Sequence, residues 1–200
     1  MKKIISIALV LVLSLAVMTA CSVENTSTKT NIDVNTTDVG TTGAVAGTFT
    51  NNGDEDISAT VTVVWYDEED NELGTTVTEI PYIMAGDSVF EVFEFDKEYD
   101  DYDCDVETGE PAEGGYDFYS NLTLEVEADD DDGSVAYNAG VEGEPIDAEL
   151  IVLYKNDDDK IIDFDREIVK GEGVVSGVVD GCEIEGVSSY VMNIIPKGMN

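Results

Sequence analysis

The sequence predicts an all-β fold, built as two tandem small β-sandwiches behind a removable leader and a flexible tether. Three observations carry this. First, one strand-and-turn is stated twice: Val61-Thr-Val-Val-Trp-Tyr-Asp-Glu-Glu-Asp-Asn-Glu-Leu73 and Glu149-Leu-Ile-Val-Leu-Tyr-Lys-Asn-Asp-Asp-Asp-Lys-Ile161. Each apolar run ends in an apolar-Tyr pair, Trp65-Tyr66 or Leu153-Tyr154, and an acidic turn follows. A pattern repeated at a spacing of about 88 residues argues for two similar domains. Second, the remaining apolar runs are short, alternate with polar residues and are punctuated by Gly, Asn and Asp at regular intervals. Third, no stretch carries a helical period.

The leader occupies residues 1–20. Lys2 and Lys3 form its positive end, an apolar stretch follows, and small residues precede Cys21; these are the three parts of an export signal. Met18-Thr19-Ala20-Cys21 resembles the bacterial lipobox, departing only in Met where Leu is commonest. That resemblance implies cleavage before Cys21 and a diacylglycerol on its thiol, hence an extracytoplasmic protein held to a membrane. Acyl chains bury CH2 groups at about 0.8 kcal/mol each, so two or more make a stable anchor. Residues 21–39 are Ser/Thr/Asn-rich, without an aromatic residue or a hydrophobic period, and are expected to be a disordered tether with an r.m.s. reach of about 25 Å.

The first domain is expected over 40–130. Gly43–Thr50 alternates as a half-buried strand, Asn51-Asn52-Gly53-Asp54 is a turn, and Ile57–Tyr66 is the central strand, with Val61, Val63 and Trp65 on one face. Leu73–Ile80 follows and should end or kink at Pro81, which cannot donate to a ladder. Ala85-Gly86-Asp87 turns into a run in which Val89, Glu91, Phe93 and Phe95 share a face. Residues 96–115 read as a long acidic loop holding Tyr99 and Tyr102, and Tyr119–Ala128 as the closing strand. The charged run Asp129–Asp132 marks the expected boundary.

The series Asn51-Asn52-Gly53-Asp54, Val63-Val64-Trp65-Tyr66-Asp67, Asp70-Asn71, Leu73-Gly74 and Ala85-Gly86-Asp87 before an aromatic strand resembles the FxLYD family. Its name-giving motif falls on Val63–Asp67, with Val for Phe and Trp for Leu. The resemblance covers about half of the mature chain. It implies small immunoglobulin-like sandwiches of the kind found on bacterial and archaeal surface proteins, with no catalytic residues to carry over. Ile151-Val-Leu-Tyr-Lys155 matches the motif again in a second, shorter sandwich over 134–200, with strands at Val135–Gly140, Ile146–Tyr154, Ile161–Ile168, Val174–Val179 and Ser189–Ile195.

Charge and residue types narrow the function. There are 45 Asp plus Glu, 9 Lys plus Arg and no His, a formal charge of −36. Losing Lys2 and Lys3 with the leader makes it −38. Such a surface repels phosphate backbones and anionic headgroups, so nucleic acid is excluded as a partner and membrane contact must run through the anchor. Solubility, salt adaptation and ion binding all remain open as reasons for the charge. Without His there is no His-based triad or metal site, and no nucleophile elbow or phosphate loop appears; the chain is read as no enzyme. Cys104 and Cys182 are either a disulfide, permitted by export, or isolated thiols. Asp100, Asp101, Asp103, Asp105 and Glu107 offer hard oxygen donors that suit calcium, although no stretch has EF-hand spacing. The tyrosines among them equally suit a protein contact at the envelope. The expected role is therefore a non-catalytic interaction or spacer module, with calcium binding as the alternative.

Overall fold

The computed structural model describes residues 31–40, 43–128, 134–179 and 187–199. The leader, Cys21, most of the expected tether, the Asp129–Asp132 break and Cys182 lie outside the described residues. The chain divides into two compact units, one ending at Glu113 and the other running from Gly114 to Met199.

The first unit holds six strands: β1 Ile32–Asp38, β2 Ala44–Asn51, β3 Ile57–Tyr66, β4 Glu72–Ile83, β5 Ser88–Glu94 and β6 Asp101–Gly109. They form two antiparallel sheets, ordered β1-β2-β5 and β4-β3-β6. The sheets pack face to face, because one buried cluster draws Ile32, Val45, Phe49, Val61, Val63, Trp65, Ile80, Val89, Phe93 and Val106 from all six strands. The second unit adds a short helix, α1 Gly115–Asn121, and six strands: β7 Leu122–Ala128, β8 Val135–Val141, β9 Ile146–Lys155, β10 Ile161–Gly171, β11 Val175–Val179 and β12 Ser189–Pro196. Its sheets run β11-β8-β7 and β10-β9-β12 around a single cluster of its own. Strand for strand this is the order of the first unit, so the repeat seen in the two central strands extends to the whole topology.

The structural register of the repeat is 89 residues rather than 88. Ile57, Ala59, Val61, Val63 and Trp65 on β3 correspond to Ile146, Ala148, Leu150, Val152 and Tyr154 on β9, and all ten pack in their unit's core. Trp65 is thus matched by Tyr154, and Tyr66 by Lys155. Hydrogen bonding fixes the match. Trp65 Nε1 donates to Thr76 Oγ1 at 3.0 Å, and Tyr154 Oη donates to Asp165 Oδ2 at 2.9 Å, each acceptor eleven residues on. Ile57 and Ile146, which stand one residue out of step when the two Tyr are aligned, fall into step at this register. The eye aligns the two Tyr; the core aligns the two large rings.

The hairpin that follows is built alike in both units. Asp67 Oδ1 accepts the N–H groups of Glu69 and Asn71, both at 2.9 Å, and Asn156 Oδ1 accepts those of Asp158 and Lys160, both at 3.0 Å. A short side chain capping its own turn is why Asp and Asn stand there. Asp70 and Asp159, at φ 60 and 62, take the left-handed position that Asp and Asn tolerate best after Gly. The Asn51-Asn52-Gly53 turn is closed in the same manner, with Asn51 Oδ1 accepting Gly53 N–H and its Nδ2 donating to Glu55 and Ile83 carbonyls.

Five expectations are corrected or narrowed. The tether is not featureless to residue 39: β1 runs from Ile32 and pairs with β2, burying Ile32 and half-burying Val34. The segment 96–115 is not a loop throughout: β6 pairs with β3 along its whole length. The domain boundary falls at Glu113 rather than at 130. Leu122–Ala128 pairs with β8, not with the first unit, because Leu122, Leu124 and Val126 pack on the second unit's core and a short connection favours a hairpin. Residues 115–121 form a helix, too short to show a period. Finally, Pro81 does not end β4. The strand continues to Ile83 and absorbs the proline where the register shifts between Ile57 and Ala59, as an edge strand can.

Candidate functional site

The candidate residues lie on β6 and at the adjoining end of the first unit. On β6 the residues alternate. Tyr102, Cys104 and Val106 turn toward the core, and Asp101, Asp103, Asp105 and Glu107 stand exposed on the outer face. Inward apolar groups hold the strand to β3, and solvent accepts the carboxylates, so alternation outweighs the charge. Side chains two residues apart on one strand face are about 6.6–6.8 Å apart. Calcium ligands sit 2.3–2.6 Å from the ion, so two oxygens on one ion lie within about 5 Å. The four carboxylates therefore form a comb, not a cage. Among the described residues no three His, Cys, Asp or Glu side chains converge on a common metal position. Asp103 instead accepts the Tyr66 hydroxyl at 3.2 Å, and desolvation followed by this carboxylate pushes the Tyr66 pKa up.

Asp100 belongs to a different place. Its N–H donates to the Tyr66 carbonyl at 2.9 Å, and its side chain lines an open depression of about 630 Å³ with Asp38, Phe95, Asp96, Lys97, Glu98 and Tyr99. A smaller one of about 370 Å³ shares Glu98, Tyr99 and Asp100 and adds Asp67 and Glu68. Beneath both lies an aromatic cluster. Trp65 stacks on Phe95 at 5.1 Å between centroids and meets Tyr99 at 4.7 Å and Tyr102 at 6.0 Å. Tyr99 donates to Asp38 Oδ1 at 2.9 Å and Tyr102 to Thr36 Oγ1 at 3.2 Å, so β1 is tied to β6 and to the segment just before it. Burial first, then the Asp38 carboxylate, pushes the Tyr99 hydroxyl far above its usual range. Both rings stay neutral donors at any physiological pH. The sequence flagged these tyrosines but gave no reason to bring Asp38 or Thr36 to them, since both sat in the expected tether.

Cys104 is a free, half-buried thiol opposite Val63 on β3. Burial, helped by Asp105, pushes its pKa up to about 11. The thiolate is what attacks and binds metals, so this cysteine is inert at neutral pH. The pairing considered with Cys182 falls on a residue outside the described set. One carboxylate lies inside the sandwich: Glu91 is 1% exposed, faces Gly47 across β2, and takes the Val92 N–H on Oε1 at 2.9 Å. Among the described residues of the second unit, Arg166 and Lys197 are drawn close to a buried acid, at 3.0 and 2.7 Å from Glu149 Oε2.

No helix among the described residues is long and apolar enough to cross a membrane. No protein-family model matches the chain, and no curated protein matches it in sequence, so the resemblance to FxLYD modules rests on its motif residues alone.

Proposed function

We propose that the chain is a lipid-anchored protein of the bacterial cell envelope, held outside the cytoplasm through Cys21, that acts without catalysis as an interaction or spacer module. The observation that carries this reading is the repetition of one six-stranded framework in both units, with like cores and unlike outer faces. On β6 the outer face is Asp103, Asp105 and Glu107; on β12 the residues in the same register opposite the central strand are Val191, Asn193 and Ile195. Folded units in series with freely varying surfaces serve display and spacing, and the FxLYD resemblance points the same way. The leader with its Met18-Thr19-Ala20-Cys21 supports the anchor. A second reading, an acidic surface that gathers divalent cations, has in its favour the four outward carboxylates of β6.

The anchor is tested by expressing the full chain in a bacterium and analysing its N-terminus by mass spectrometry after detergent phase partition. Cleavage before Cys21, a diacylglyceryl adduct on it and recovery in the detergent phase are expected, all three lost in Cys21→Ser. An unmodified Cys21 in the wild-type chain would end this reading.

A further inference from the structure

β4 is an edge strand: it pairs with β3 on one side, and on the other no strand among the described residues pairs with it, although near its end the Pro81 carbonyl takes the Ala112 N–H at 2.9 Å. Its segment Leu73-Gly-Thr-Thr-Val-Thr78 carries no charge, in a chain 27% charged, and Val77 is 61% exposed. Edges are normally guarded by charge, bulges or cover against pairing with another chain. The repeat supplies the comparison. At the 89-residue register the same six positions of β10 are Ile162, Asp163, Phe164, Asp165, Arg166 and Glu167, and the strand is pinned to β9 by Arg166–Glu149 at 3.0 Å and by Lys170–Asp147. Of two equivalent edges, one is guarded and the other is bare.

The backbone of the bare edge points outward at defined places. The Tyr66 carbonyl faces β6, where it takes Asp100 N–H at 2.9 Å. Alternation along β3 then turns Trp65, Val63 and Val61 toward β4, where they face Gly74, Thr76 and Thr78. The N–H and C=O of Thr75 and Val77 are left facing away from the sheet. Beside them the Leu73 carbonyl accepts Lys97 Nζ at 3.4 Å. Lys97 is the sole basic residue between Asn31 and Glu113, and it sits on this edge. Glu72 and Glu79 flank the run, and the acidic turn Asp67–Asp70 adjoins it.

We infer that β4 is a docking edge that takes an extended, lysine- or arginine-bearing segment of a partner protein as an added strand. Thr75 and Val77 supply the main-chain bonds and the flanking carboxylates select the cationic ends. This rests on the interaction-module reading and names its partner class; anchoring through Cys21 is independent of it and is tested separately.

The experiment uses residues 21–200 and a short synthetic peptide of alternating threonine and valine with lysine pairs at both ends. The control peptide carries glutamate pairs instead. Amide hydrogen exchange is read by NMR. The lysine peptide should slow exchange at Thr75 and Val77 by about tenfold or more at saturation, with Thr76 and Thr78, already bonded to β3, unchanged. The effect should weaken with added salt. Val77→Pro removes only an outward N–H and should abolish the protection; unchanged Trp65 emission shows that the fold is kept. Val77→Lys, which retains every N–H but places a cation on the edge, should weaken it as well. Equal protection by the glutamate peptide, protection along another strand instead, or no protection would overturn the inference. So would Thr75 and Val77 amides already protected by self-association of the chain, since the occupant would then be a second copy.

Discussion

Thr76→Val tests the pairing that defines the register of the repeat. Valine keeps the β-branched shape of threonine, so little packing changes. What disappears is the acceptor of Trp65 Nε1, 3.0 Å away, on a ring that is 0% exposed. A buried donor without a partner costs about 1–3 kcal/mol. Thr76 is itself half-buried, so water has partial access and the lower part of that range, about 1–2 kcal/mol, is expected. In a domain of this size 1 kcal/mol moves the melting midpoint by about 4–8 °C. Trp65 is the single tryptophan of the chain, so its emission follows the first unit alone. Urea unfolding followed by that emission should show the loss. Tyr154→Phe, which removes the matching bond to Asp165, should leave the Trp65 transition where it was and be seen only in the circular dichroism of the β signal. A Thr76→Val chain with an unchanged emission midpoint would refute the claim that this bond matters to the first unit.

Other outcomes follow from the same geometry. Asp67 is held below the usual carboxylate range by the hydrogen bonds of Asn71 and then Glu69, so its stabilisation is present above pH about 4 and is lost as pH falls through the depressed value. Asp67→Asn should keep the turn, as Asn156 does in the other unit, and flatten that part of the acid titration of the first unit's melting point. Cys104, with its pKa raised from 9.0 to about 11, stabilises the fold below pH 9 and ceases to do so as pH rises to 11; alkylation at pH 8 should be about a hundredfold slower than for a free thiol and be restored in urea. Gly177→Ala places a methyl group against the Tyr137 hydroxyl and ring, and should cost the second unit about 1–3 kcal/mol by thermal melting, recovered by adding Tyr137→Leu. Because β6 presents a comb, calcium and magnesium at matched ionic strength should raise the melting midpoint alike, and Asp103→Asn with Asp105→Asn should raise it without any ion, by relieving like charges on one face.

The cores were legible in the sequence because period-two alternation survives in both central strands. Val61, Val63 and Trp65, and their counterparts Leu150, Val152 and Tyr154, are all buried. What misled was charge. In Asp101-Tyr-Asp-Cys-Asp-Val-Glu107 the alternation is as clear as in β3, yet the carboxylates made it read as loop. β1 was lost for another reason: with only Ile32 and Val34 apolar, its strand character comes from pairing to β2 rather than from its own residues. β7 was seen as a strand but joined to the wrong unit, since an acidic run looks the same whether it separates domains or links two strands of one sheet. The site residues were legible as types and not as places. Asp100 parts from its four neighbours, and Asp38 joins Tyr99 across 61 residues of chain.

Tandem copies of one fold carry a hazard, since a strand of one copy can pair with the sheet of the other. When the buried pair Val45–Phe93 is matched with the buried pair Val135–Val179, the position of Gly47 and Glu91, two residues along, falls on Tyr137 and Gly177, with the bulk moved to the opposite strand. Exchange of β5 for β11 would press Glu91 against Tyr137 on one side and set Gly177 against Gly47 on the other. One product is overfilled and the other hollow. The two units share a blueprint yet are keyed like locks of a single make, so that each closes only with its own strand.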